Sequence, residues 1–244
     1  MPKRSHLTLA AAGLLLAVPA VASAFTVFGA ASLTKAFPAI DAAPSYSFLG
    51  SDVLAKQITS GAPADVFASA SPKYTQALAK AVRCAKPVTF ATNVLVLITP
   101  TNNPAGIHSV YDLTRGVRKT LAVGQPSVPV GSYTRTLLRR LGLSSVLTRN
   151  TVSSEPNVSG IVGKVALGSA DAGFVYYTDW LAAKDRLART GLPRWAQPPV
   201  RYEICAVKRP GADTAAAKRF IRRVLSPSGR KVLKRYGFGL PRLR

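Results

Sequence analysis

Short apolar strands alternate with helices from residue 26 to residue 236, which predicts an α/β sandwich with largely parallel sheets. Three observations carry this expectation. Thr26-Val27-Phe28-Gly29-Ala30-Ala31-Ser32-Leu33-Thr34 reads as a buried strand, a small-residue turn and a helix start. Val94-Leu95-Val96-Leu97-Ile98 is an unbroken apolar run, expected as a central strand. Beyond residue 24 no internal repeat and no low-complexity tract interrupts the pattern.

In the opening stretch, Ser32 or Thr34 is expected as the helix N-cap, with Pro38 confined to an early turn. A helix opening off a strand presents free N–H groups and its dipole, which suits either an anion site or an ordinary capped turn. A strand follows at 45–49. Ser51 and Asp52 are expected to cap a helix over 53–60, which Gly61-Ala62-Pro63 ends. Further strands are expected at 64–69, 88–99, 121–124, 172–176 and 201–207. Helices are expected at 72–82, 109–113, 131–141 (starting near Val130), 158–167, 215–225 and 228–236.

Residues 1–24 read as a secretory signal peptide: Lys3 and Arg4, an apolar stretch over 7–21, and a small-x-small site at Ala22-Ser23-Ala24. The stretch is short for a membrane span, and no cysteine follows it to carry a lipid. A soluble, exported chain is therefore expected, in the periplasm or on the extracytoplasmic face of the envelope. About 220 residues remain, enough for one large domain or two lobes. The formal charge of +23 falls to +21 without Lys3 and Arg4. The cations are scattered except in the tail over 218–244, and export argues against a nucleic-acid role. A basic surface facing an anionic envelope, or a field that draws anions in, are the remaining readings. Cys84 and Cys205 are the only cysteines, and a disulfide and two buried thiols are both open.

The inventory of reactive groups is thin. His6 lies in the signal and His108 in a loop. The sequence shows no metal-ligand cluster, no Gly-x-Ser-x-Gly elbow, no phosphate-loop lysine and no dinucleotide fingerprint. A binding protein is expected rather than an enzyme, with no cofactor.

Several blocks in order carry a resemblance. They are Ala30-Ala31-Ser32-Leu33-Thr34, Gly50-Ser51-Asp52-Val53-Leu54, Gly61-Ala62-Pro63-Ala64-Asp65, Phe90-Ala91-Thr92-Asn93, Val128-Pro129-Val130-Gly131, Glu155-Pro156-Asn157-Val158 and Ala170-Asp171-Ala172-Gly173-Phe174-Val175-Tyr176. Together they resemble the molybdate-binding periplasmic proteins of ABC transporters. The resemblance implies a type II periplasmic binding fold: two α/β lobes, a two-strand hinge and an anion in the cleft. Lobe I would hold residues 25–91 and 204–244, and lobe II residues 92–203, with 88–92 and 201–207 as crossing strands. The resemblance also implies the ligand contacts: the side chains of Ser32, Ser51 and Tyr176, and the backbone N–H groups of Val130 and Val158. They would touch the oxygens of molybdate or tungstate, with no direct bond to the metal. The implied partners are a membrane permease with its ATPase, and the chain would act as a monomer. Val130 stands where alanine is common, and the loop at Gln125-Pro126-Ser127 looks shorter than in some relatives.

Elementary chemistry agrees with that set. Helix N-termini, hydroxyls and a phenol hold a dianion without Lys or Arg. Molybdate and tungstate carry no proton near neutral pH, so a cage of donors suits them and leaves the proton of hydrogen phosphate unpaired. Exclusion of sulfate would rest on cavity size. Rival readings are a binder of another small oxyanion such as sulfate, an enzyme on the same two-lobed fold, and a polyanion-binding envelope protein.

Overall fold

The computed structural model describes residues 25–241, so the expected signal peptide lies outside the described residues. The first sheet is ordered β2-β1-β3-β10-β4. It comprises β1 (Thr26–Ala30), β2 (Ser45–Leu49), β3 (Val66–Ser69), β4 (Val88–Asn93) and β10 (Val200–Ala206). The second is ordered β7-β6-β8-β5-β9. It comprises β5 (Leu95–Pro100), β6 (Leu121–Gly124), β7 (Thr151–Glu155), β8 (Ala172–Tyr176) and β9 (Leu187–Thr190). On the first sheet pack α2 (Ser51–Thr59), α3 (Pro72–Lys80) and α8 (Thr214–Leu225), and α1 (Ala36–Ile40) and α9 (Pro227–Arg235) pack with α8 and each other. With the second go α4 (Pro129–Arg140), α5 (Val146–Asn150), α6 (Val158–Ala166) and α7 (Tyr177–Ala182).

The sheets are mixed, which corrects the expectation of largely parallel ones. Strands β1, β2 and β3 run parallel, and so do β6, β7 and β8. β10 is antiparallel to β3 and β4, and β5 is antiparallel to β8 and β9. The reason is connectivity. β5 and β10 are the strands that receive the chain just after it has passed from one sheet to the other. Each starts where the sheets meet and runs away from that place, against the parallel strands that run toward it. The expected single strand over 88–99 is therefore two strands, split at Val94, one in each sheet. The chain returns between Thr190 and Val200. The expected lobe boundaries at 91/92 and 203/204 fall inside β4 and β10, which pair with each other.

Four elements have no counterpart in the sequence reading: α5, β7, α7 and β9. β7 (Thr-Val-Ser-Ser-Glu) is an edge strand with one aliphatic residue, and α5 and α7 have only 5 and 6 residues. Such segments lack both an apolar face and the length to nucleate alone, so their neighbours fix them. The expected helix at 109–113 is a 3-10 turn over Val110–Thr114, capped by Ser109.

The main core runs through both sheets and includes Phe37, Phe90, Leu97, Phe174 and Phe220. A second cluster holds Leu54, Ile58, Phe67 and Leu78 around a disulfide joining Cys84 to Cys205. The bond does not brace the crossing itself. β10 meets Asn93 through Val200, at its start, whereas Cys205 pairs with Phe67 near its other end. The bond ties the turn before β4 to the outer end of the first sheet across a separation of 121 residues. Reduction, or Cys84→Ser with Cys205→Ser, is expected to lower the unfolding free energy by about 2–5 kcal/mol. Urea denaturation with and without reductant reads it. An unchanged midpoint, with two thiols titrating in the untreated protein, contradicts the pairing.

Candidate functional site

All six parallel strands point their C-terminal ends at one place. Open α/β sheets bind ligands there, because the chain leaves each strand as a loop or a helix N-terminus. β1 runs into the 3-10 turn Ala31–Leu33, β2 into α2, and β7 into α6 through Pro156 and Asn157. β6 leads to α4, whose close approach needs glycine: a Cβ on Gly131 would collide with the Gly124 and Gln125 carbonyls. β8 ends on Tyr176.

These endings line a narrow cleft that is partly open to solvent. Ser32, Ser51, Val130, Val158 and Tyr176 all line it, so the structure brings the five expected residues together. Among the described residues no Lys, Arg, Asp or Glu lines it, and Ala30, Ala31 and Ala70 keep its walls close to the backbone. The local roles of the serines differ from the sequence expectation. Ser32 is not an N-cap but lies within the 3-10 turn, whose cap is Ala30. Thr34 instead donates to the Ala31 carbonyl at 2.7 Å. Ser51 opens α2, with Gly50 as the cap. Freed from capping, the Ser51 hydroxyl accepts the Ala70 N–H at 3.1 Å and keeps its own proton to give. Val130 and Val158 sit in the first turns of α4 and α6, where backbone N–H groups have no intrahelical partner.

Tyr176 is 1% exposed, and its hydroxyl has no hydrogen-bond partner. Burial pushes the phenol well above its ordinary value, so it stays protonated and can only serve a ligand as a neutral group. A buried hydroxyl without a partner costs roughly 1–3 kcal/mol, a cost that a bound acceptor would remove.

The two sides of the space are in contact. Ser127, before α4, donates to Asp52 Oδ2 at 2.7 Å, and the Tyr74 hydroxyl donates to the Ser127 carbonyl. Burial, and next the charge of Asp52, push the Tyr74 phenol up to about 12. A Cβ on Gly50 would strike the Pro156 carbonyl. Sequence reasoning missed this clasp, and it missed Tyr202, whose hydroxyl lies 2.8 Å from Ser32 Oγ. Tyr202 reads in sequence as one more large residue of an apolar strand. A larger cavity of about 580 Å³ lies beyond Ser32, lined among others by Lys35, Asp179, Lys184, Arg186 and Arg235.

Asp179 stands behind Tyr176, whose N–H donates to Oδ2 at 3.3 Å. Burial pushes this carboxyl up to about 7, against the opposing pull of backbone hydrogen bonds. Because the folded value lies above the ordinary 3.8, the folded protein keeps a proton that the unfolded chain has lost. The stability this brings is full below pH 4 and drains away as pH rises to about 7. Asp179→Asn should therefore gain on the wild type across that window, by roughly 2 kcal/mol given that the carboxyl lines an open cavity, and level off above it. Urea midpoints between pH 4 and 8 test this, and a difference that does not change with pH contradicts it.

The chain is 38% identical over 233 residues to the molybdate-binding protein ModA of Mycobacterium tuberculosis, covering 90% of this chain and 86% of that one. It is 32% identical over 233 residues to ModA of Escherichia coli, covering 87% and 88%. Among solved structures, the periplasmic molybdate-binding protein of Azotobacter vinelandii superposes with a TM-score of 0.78 at 23% identity, covering 89% of this chain and 100% of that one. The sulfate-binding protein SubI of Mycobacterium tuberculosis superposes with a TM-score of 0.75 at 14% identity, covering 88% and 85%. These likenesses establish the fold as that of two-lobed periplasmic binding proteins, without choosing the ligand. The family model described as bacterial extracellular solute-binding protein matches residues 9–239, and the chain belongs to that family.

Proposed function

We propose that this protein captures molybdate, and also tungstate, outside the cytoplasm and delivers it to the permease and ATPase of an ABC importer. The observation that carries the reading is the narrow cleft at which Ser32, Ser51, Val130, Val158 and Tyr176 converge, with the Tyr176 hydroxyl buried and unpartnered. The relatives named ModA support the choice of ion. The two sheets with their helices act as lobes that close on it, and the clasp of Ser127 on Asp52 and Tyr74 holds them shut.

The ion sheds its water and receives hydrogen bonds in exchange. Ser32, Ser51 and Tyr176 give O–H donors, while Val130 and Val158 give N–H donors backed by the dipoles of α4 and α6. The contacts go to oxygen, so the metal at the centre of the ion is not itself ligated. The protein works as a monomer in the periplasm or an equivalent extracytoplasmic space, needs no cofactor, and releases its ligand unchanged.

Calorimetric titration of residues 25–244 tests the reading. Molybdate and tungstate should bind tightly, sulfate and phosphate poorly. Ser32→Ala, Ser51→Ala and Tyr176→Phe should each weaken molybdate binding by about 1.5–3 kcal/mol, the range for a hydrogen bond to a charged group. Replacing Val130 or Val158 by another apolar residue should matter less, since the backbone donor survives. Molybdate at a hundred times its dissociation constant should stabilise the fold by about 2.7 kcal/mol. No heat and no thermal shift with millimolar molybdate, alongside binding of sulfate, would transfer the site to that ion. A steep fall of affinity with moderate salt would favour the polyanion reading instead.

A further inference from the structure

Helices α8 and α9 repeat one charge pattern. Lys218, Arg219, Arg222 and Arg223 in α8, and Arg230, Lys231, Lys234 and Arg235 in α9, stand at positions i, i+1, i+4 and i+5. That spacing gathers each quartet on one side of its helix. The other sides are buried, through Ala216, Ala217, Phe220 and Val224 of α8 and Gly229 and Leu233 of α9. The helices meet at Ser226 and touch closely, since a Cβ on Gly229 would strike the Arg223 and Val224 carbonyls. The quartets are therefore neighbours on the surface. All are exposed except Arg230, which turns back to donate to the Pro241 carbonyl at 3.2 Å. From residue 214 to residue 244 the sequence holds no Asp or Glu. Of the acids beside the helices, Asp41 pairs with Arg223 at 2.8 Å, and Asp213 caps α8 by accepting from the Ala216 N–H at 2.8 Å. Among the described residues, no ion pair engages Lys218, Arg219, Arg222, Lys231, Lys234 or Arg235.

We propose that this face binds the headgroups of an anionic phospholipid bilayer and holds the protein at a membrane surface. The composition of the face selects that partner. A protein interface needs an apolar or aromatic centre from which water is expelled. Among the described residues, no large apolar side chain is exposed on α8 or α9. A headgroup surface asks only for positive charge spread over an area within a Debye length of it. Lys and Arg supply that charge on long stems, and their ammonium and guanidinium groups suit phosphate oxygens. The apolar sides of both helices already lie in the core, so contact is superficial and reversible, without insertion. Cys84 and Cys205 are joined in the disulfide, so neither is free to carry an acyl chain. The inference does not rest on the molybdate reading, and it adds a place to it. A carrier held at a bilayer searches for a membrane-bound receiver in two dimensions instead of three.

Co-sedimentation with vesicles tests this, using phosphatidylcholine alone and phosphatidylcholine mixed with phosphatidylglycerol. The wild type should bind the anionic vesicles at low salt and ignore the neutral ones. It should come off at about 0.5 M salt, where the Debye length is about 4 Å. Combining Lys218→Gln, Arg219→Gln, Lys231→Gln and Lys234→Gln should weaken the partition coefficient at least about a hundredfold, at about fivefold for each cation removed. The control removes the same charge elsewhere, through Lys56→Gln, Lys80→Gln, Arg83→Gln and Lys86→Gln, all exposed positions outside these helices. It should lose less than about tenfold, since charges away from the contact are screened. Both variants should keep the wild-type melting temperature and molybdate affinity, which separates lost contact from lost fold. Equal losses in the two variants, equal binding to neutral vesicles, or no binding to anionic ones at low salt overturn the inference. Soluble polyglutamate that holds the wild type as tightly as vesicles of matched charge assigns the face to an acidic protein segment and overturns it too. A wild type that binds the anionic vesicles but no molybdate overturns the ligand reading alone.

Discussion

An oxyanion leaves water only if something replaces the hydrogen bonds it gives up, and this constraint organises the protein. The replacement donors are worth most where the dielectric is low and the geometry is fixed. In the proposed site they come from the C-terminal ends of six parallel strands, three in each sheet, facing each other across a narrow space. The antiparallel placement of β5 and β10 follows from the same arrangement, since the chain has to cross where the two sheets meet. The unsatisfied Tyr176 hydroxyl is the residue of unmet bonding that a bound acceptor would complete.

The absence of charged side chains from the cavity wall gives the large net charge a separate part to play. Among the described residues, three ion pairs occur: Arg115–Asp112, Arg209–Asp65 and Arg223–Asp41. Most of the cations therefore face solvent unneutralised. Their summed field attracts small anions from a distance, with a reach set by salt. On the proposed reading, recognition at short range belongs to the neutral donors of the cleft. Attraction and selection are thus carried by different atoms.

Much of the fold was legible in the sequence because the parallel strands are buried and apolar: Val66–Ser69 and Ala172–Tyr176 are buried at every position. Of the elements that escaped, β7 alternates half-buried and exposed positions, and β9 buries only Leu187 of its four residues. Their places are set by partners far away in the chain. At the site, Ser32 and Ser51 could be picked out through the resemblance, but their local roles could not. Ser51 gives up its cap to accept from Ala70, 19 residues on, and Ser32 is held by Tyr202, 170 residues on. Neither bond leaves a trace in local spacing. The same holds for the Ser127–Asp52 clasp, which joins residues 75 apart.

The ion is proposed to sit among neutral donors between the two sheets and not in the larger basic cavity. Crystals grown with molybdate, with diffraction recorded above and below the molybdenum absorption edge, test this most directly. One anomalous peak is expected, with oxygens in hydrogen-bond reach of the Tyr176, Ser51 and Ser32 hydroxyls and of the N–H groups of Val130 and Val158. A peak among Lys35, Lys184, Arg186 and Arg235, with the Tyr176 hydroxyl still unpartnered, would contradict it.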